Sequence, residues 1–401
     1  MRALLTITDD QRRARLAARH AIVTRSGTVA EAVDLMTCLH ATEPASVYLS
    51  AFARVDASRA DIDRALYDER SVVKQLAMRR TLFVFPRDLL PAVWGSASHR
   101  VASQLHARLV KEVQSNGIAE SGEEWVTRIC DDVLGSLRAN GPSTTAELRD
   151  RIPSLSSRLE MAPGKSYGGS FPIAPRVLST LGATGQVLRG ANEGDWHVSR
   201  PRWVLTEDWL GEPPRPADQA AGYLSLVQRW LRTFGPGTEA DLCWWLGATK
   251  GAVRRALGEL GAVEVALTDG VGYLLPDDLE EVPEPEPWAA LLPVLDPTTM
   301  GWKQRGFYLV DEDVPHLFDT NGNAGSTAWW NGKIVGCWVQ DPDGVVSVTL
   351  RHDIGAEGVR ALEAEASRLT AWLSGHRVGT VYPSALMKSG RLVASDREAR
   401  P

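Results

Sequence analysis

The sequence predicts an α+β protein: tandem small helical units, each closed by a strand pair, followed by a small antiparallel β-barrel. Three observations carry that expectation. A Gly-Pro motif recurs at an offset of 94 residues, two acidic Pro-rich stretches interrupt the chain, and the patterning after Pro287 changes from helical to alternating.

In chain order, Thr8-x-x-Gln11 is a capping box opening a helix that holds Arg12, Arg13, Arg15 and Arg19. Thr28 opens a second helix to about residue 39, and residues 44–55 give a third. Ser58-x-x-Asp61 caps a helix through Glu69, Thr81-Leu-Phe-Val-Phe85 reads as a strand before Pro86, and residues 88–112 are helical again.

The repeat follows. Asn140-Gly-Pro-Ser-Thr-Thr-Ala-Glu-Leu148 matches Phe234-Gly-Pro-Gly-Thr-Glu-Ala-Asp-Leu242, each after an amphipathic stretch, residues 123–138 and 223–232. Leu181-Gly-Ala183 matches Leu260-Gly-Ala262 at an offset of 79, so the first copy carries about 15 extra residues, placed within 152–170. Gly-Pro before Ser/Thr stops one helix and caps the next, and the residues after Leu-Gly-Ala alternate like a strand pair. Helix, turn, helix and β-wing is the winged-helix order, and the first quarter of the chain has a looser version of it.

The acidic stretches Glu207-Asp-Trp-Leu-Gly-Glu-Pro-Pro-Arg-Pro216 and Pro276-Asp-Asp-Leu-Glu-Glu-Val-Pro-Glu-Pro-Glu-Pro287 read as linkers. The expected domains are therefore 1–118, 119–210, 217–276 and 288–401. In the last, Trp329-Trp-Asn-Gly-Lys-Ile-Val-Gly-Cys-Trp338 holds an Asn-Gly hairpin signal, Asp341-Pro-Asp-Gly344 is a second turn, and residues 358–374 form one amphipathic helix.

Composition narrows the function classes. Hydrophobic residues make up 44% and charged residues 23% of the 401, and no apolar run approaches the roughly 20 residues of a membrane span. No signal-length hydrophobic stretch precedes Asp9, so the expected location is cytoplasmic, with no membrane partner. Four cysteines without a C-x-x-C offer no zinc ligand set, and neither a metal nor another cofactor is expected. The net charge of −6 disfavours nucleic acid only on average. Residues 1–111 hold 17 Lys/Arg against 11 Asp/Glu, and residues 201–287 hold 7 against 15. That asymmetry predicts a polyanion-binding N-terminal unit and a structural third winged helix.

Several chemistries lack their motif. Gly164-Lys165-Ser166 resembles the end of a P-loop, but Leu159 stands where its first glycine belongs, and no G-x-G-x-x-G, H-E-x-x-H or G-x-S-x-G occurs. The informative segment is Leu35-Met-Thr-Cys-Leu-His-Ala-Thr-Glu-Pro44, a polar corner of His40, Thr42 and Glu43 between two helices. By spacing alone, His40 satisfies end carbonyls of the helix before it, while Thr42 and Glu43 cap the helix that begins at Pro44.

At this corner the chain resembles the bacterial AlkZ/YcaQ-like winged-helix DNA glycosylases, which carry Gln-Φ-Gln or Gln-Φ-Asp (Φ apolar) and then Asp-Pro where this chain has His40-Ala41-Thr42-Glu43-Pro44. The resemblance runs on through Tyr48-Leu-Ser-Ala-Phe-Ala-Arg54, Met78-Arg-Arg-Thr-Leu-Phe83, Tyr167-Gly-Gly-Ser-Phe171, Leu291-Leu-Pro-Val-Leu-Asp296 and Asn331-Gly-Lys-Ile-Val-Gly336, over roughly residues 8–385. It implies a C-shaped monomer of tandem winged helices and a small barrel around double-stranded DNA, excising alkylated purines, bulky or cross-linked ones included, without metal. It also implies that His40 and Thr42 stand for the motif residues and that Glu43 supplies negative field to the cationic sugar. A neutral His accepts a proton from water near neutral pH, whereas a Thr hydroxyl only orients it. The expected DNA contacts are Arg12, Arg15, Lys74, Arg79, Arg80, Trp330 and Lys333. A non-catalytic winged-helix regulator is the alternative, although three unequal units suit one-sided clamping better than symmetric half-site reading.

Overall fold

A computed structural model describes residues 4–161, 168–213 and 215–390. The segment with Gly164-Lys165-Ser166 and Tyr167 lies outside them. The chain divides into two bodies, one of residues 1–72, 84–86 and 224–401, the other of residues 73–83 and 87–223.

In the second body, helices His99–Ser115 and Gly122–Asn140 bring Leu109, Val113, Val126, Ile129, Val133 and Leu137 to one side by their 3.6-residue period. These side chains form one core with Leu148, Val177 and Leu181. Gly141 ends its helix at φ +71°, a value that disfavours any side chain there. Thr144 and Glu147 then close a capping box over helix Thr145–Arg151. The extra residues of this copy form an antiparallel pair, Arg158–Met161 with Gly169–Pro172. Helix Ala174–Thr184 and the pair Val187–Asn192 with Pro201–Leu205 complete the order read from the sequence. The first acidic stretch is not all linker, because Thr206–Leu210 is helical.

In the first body, the second copy repeats the plan with helix Glu239–Leu246, capped by Thr238 and Asp241, then helix Lys250–Glu259 and strands Val263–Leu267 and Gly270–Leu274. Its strand pair gains a third member, since Leu5–Thr6 runs parallel to Val263–Leu267. Helix Asp9–Arg19 follows from its Thr8 cap. Helix Val29–Leu35 is shorter than expected, because Thr37 takes a positive φ of 64° and Leu39–His40 turn into a two-residue strand.

The C-terminal strands Ala289–Leu292, Thr327–Trp330, Lys333–Gln340 and Val346–Leu350 pair antiparallel in sequence order. Asn331 and Gly332 both have positive φ, the type I′ geometry that Asn-Gly favours. This sheet is open, not the expected barrel. Four strands are too few to close around a filled interior, and helix Gly355–Leu373 instead buries Leu362, Ala366, Leu369 and Leu373. Among the described residues no helix is long and apolar enough to cross a membrane, and no group of metal-binding side chains occurs.

Candidate functional site

Helix Pro44–Phe52 positions the corner, and its own seat is polar. Ser46 donates to the Val294 carbonyl at 2.9 Å, and Ser50 donates to Asp296 at 2.7 Å. Just past the helix, Arg54 forks onto both Asp296 oxygens at 2.8 and 2.7 Å, and neither residue is exposed. Burial alone pushes the Asp296 carboxyl up, but Arg54, Ser50 and the Thr298 amide outweigh it and hold it below the usual carboxylate range. Thr298 also bonds Arg54 and His20, linking a third buried group. Burial first, and then the Arg54 charge, pushes His20 down to about 3, so its ring is neutral.

His40 ends the short strand and is 8% exposed. The Thr42 amide faces His40 Nδ1 over 3.4 Å. Glu43 holds the N-cap position of helix Pro44–Phe52, yet its side chain makes no capping bond. Its Oε1 instead accepts from the Thr380 hydroxyl at 2.8 Å and the Val381 amide at 2.6 Å. Burial pushes the Glu43 carboxyl up, and these two donors pull it partly back.

Two of the arginines expected to reach DNA do not face solvent. Arg15 is 1% exposed and reaches Asp278 at 2.8 Å and the Glu280 carbonyl. Arg12 is 3% exposed, lies 3.7 Å over the Phe307 ring and 3.8 Å from both Asp9 and Asp269. Arg19 also meets Asp278. Part of the N-terminal positive excess is therefore neutralised inside the first body, where Arg15 and Arg19 meet Asp278 of the acidic segment following the second copy. Buried cations hold such partners because an uncompensated charge in the interior costs several kcal/mol.

The other expected contacts are accessible. Trp330 and Lys333 line an open cleft of about 1170 Å³ with Arg13, Asp10, Trp288 and His352. Trp329 is fully buried, with Thr327 and Ala328 before it, while Trp330 at the strand end is half-buried. In the second body, Lys74 lies on strand Val72–Ala77, and Arg79 and Arg80 form the hairpin tip with φ of 55° and 62°. Arg80 is exposed and Arg79 half-buried.

The buried pair Arg54 and Asp296 and the half-buried Thr380 were not singled out by sequence reasoning. Asp296-Pro297 carries a helix-start signature, and Arg54 is the one charge in residues 48–54; Thr380 carries no local signal.

A family model described as DNA glycosylase AlkZ-like matches residues 33–372. Among solved structures, the Streptomyces sahachiroi DNA glycosylase AlkZ superposes with a TM-score of 0.72 at 19% identity, covering 93% of this chain and 99% of that one. Among curated proteins, none matches this chain.

Proposed function

The chain belongs to the AlkZ-like DNA glycosylase family, and from that premise we propose that it hydrolyses the N-glycosidic bond of alkylated purines in duplex DNA as a monofunctional, monomeric enzyme of tandem winged helices. The observation that carries this reading is the His40-Ala41-Thr42-Glu43 corner, seated on a helix that Ser46, Ser50 and Arg54 tie to the Val294–Asp296 turn.

The chemistry asks little of the protein. A purine alkylated at N7 or N3 is cationic, so the C1′–N bond breaks with its electron pair passing to a base that leaves neutral. Water oxygen bonds to C1′, and its proton passes to solvent. The site has only to orient that water and stabilise an oxocarbenium-like sugar. A neutral imidazole can accept a hydrogen bond from water at one ring nitrogen or donate to it from the other, and His40 is the group proposed to orient that water. The Thr42 hydroxyl adds a second orienting group, and Glu43 supplies the opposing charge. Lys74, Arg79, Arg80, Trp330 and Lys333 are the proposed DNA contacts.

Release of N7-methylguanine from duplex DNA, read as abasic sites, tests the assignment. Wild type is expected to release the base, and His40→Ala to lower the rate about 100-fold. His40→Gln, which restores the residue type of the Gln-Φ-Gln pattern, is expected to retain most of the activity. Loss in both variants favours a general base instead. No release by the wild type, with salt-dependent duplex binding intact, leaves a DNA-binding protein without the reaction.

A further inference from the structure

After helix Gly355–Leu373 the chain returns to the corner as an irregular strap, residues 376–384. Gln340, itself 7% exposed, fastens the strap to the sheet by donating to the His376 carbonyl at 3.0 Å and accepting from the Val378 amide at 2.9 Å. From there Thr380 Oγ1 donates to Glu43 Oε1 and accepts from the Tyr382 amide at 2.9 Å, so the hydroxyl is fixed on both sides. The Val381 amide is the second donor to the same oxygen. Glu43, Ser46, Gln340 and Thr380 line a cavity of about 30 Å³ together with the apolar Leu49 and Val294.

We propose that Thr380 is a positioning residue for the reaction: the strap holds the Glu43 carboxylate in one orientation at the corner, which is incomplete without residues more than 300 positions away. The inference rests on the role given to Glu43 above. A carboxylate at a helix start is favoured near the free amides of its own helix, where its charge serves the helix dipole. Here two donors draw it off that helix, and one of them is the Val381 backbone amide, which only a proline substitution would remove. The titratable group that feels its charge is Tyr382 on the strap, whose phenol is pushed up by burial and then by the charges of Glu43 and Asp319.

Steady-state excision kinetics across pH, with Thr380→Val, Thr380→Ser and Glu43→Gln, test this. Thr380→Val is expected to lower kcat about tenfold at unchanged KM, because it removes one donor to a charged acceptor. It is also expected to move the acid limb of the rate profile up by about one pH unit, since the ionised carboxylate loses support. Thr380→Ser is expected to restore both. The proposal is overturned if Thr380→Val leaves kcat and the acid limb in place, or if Ser and Val are equally impaired with equally lowered Tm. Absence of excision by the wild type counts against the glycosylase reading, and the strap is then judged by thermal unfolding. Non-additive Tm changes of Thr380→Val and Glu43→Gln support the contact, and additive ones overturn it.

Discussion

The two copies of the Gly-Pro motif share a local code and differ in what surrounds it. In both, a Thr N-cap and a carboxylate three residues later close a capping box, and the residue before each cap bridges to a strand of the following pair, Ser143 to Trp203 and Gly237 to Tyr273. In the first copy the turn is open: Asn140 and Pro142 are exposed, and Glu147 shares its carboxylate between Thr144 and the half-exposed Arg202. In the second, every residue from Phe234 to Thr238 is buried, and Asp241 is fully buried. Asp241 Oδ2 serves the cap, while Oδ1 accepts the Lys303 and Gln304 amides at 2.8 and 2.9 Å. Trp302 donates to the Phe234 carbonyl, and the Trp230 ring sits where a side chain on Gly237 would be, 2.1 Å from its Cβ position. A motif that ends and starts helices in one place has become, in the other, the anchor of the first body's core.

Substitutions in the two boxes break or sharpen that contrast. Asp241→Ala is expected to cost the most, about 3 kcal/mol or more, because three backbone amides and the Thr238 hydroxyl lose a buried acceptor. A large fall in Tm, with exchange protection lost at residues 301–308 as well as at the cap, is the signature. Acidification comes next. The Thr233 carbonyl beside the second turn meets His20, whose folded pKa of about 3 lies below its ordinary 6.5. The stabilisation is fully present above pH 6.5 and is lost as pH falls from 6.5 toward 3, at up to about 1.4 kcal/mol per unit. His20→Gln is expected to flatten that dependence in thermal melts between pH 7 and 4. Thr238→Ala follows at about 1–2 kcal/mol, and Thr144→Ala at about 0.5–1 kcal/mol, by chemical denaturation. If the two Thr variants cost the same, burial of the second turn is not what separates the copies. Glu147→Gln is expected to be the mildest, its charge being shared with solvent.

Much of the fold was legible because its signals are short-range. The capping boxes at Thr28, Ser58, Thr144 and Thr238 and the Asn331-Gly332 turn join residues within a few positions of one another, so sequence spacing decides them. That the C-terminal sheet stays open was not legible in the same way. Alternation reports that a strand has a buried face, but not whether a sheet edge or a helix such as Gly355–Leu373 supplies the cover.

The corner divides along the same line. That His40, Thr42 and Glu43 stand together follows from their adjacency in the chain. Which way Glu43 turns, and what surrounds the helix it begins, depends on Thr380 and Asp296, hundreds of residues away in sequence. The arginines make the point from the other side. The sequence by itself determined a basic helix and an acidic stretch as separate charged segments. Only the tertiary structure decided that Arg12 and Arg15 lie inside, Arg15 against Asp278, and Arg80 outside at the hairpin tip. The physical reason is that a charge is long-ranged and undirected. Its partner is whichever group the fold brings within a few ångströms, and neighbours along the chain do not specify that.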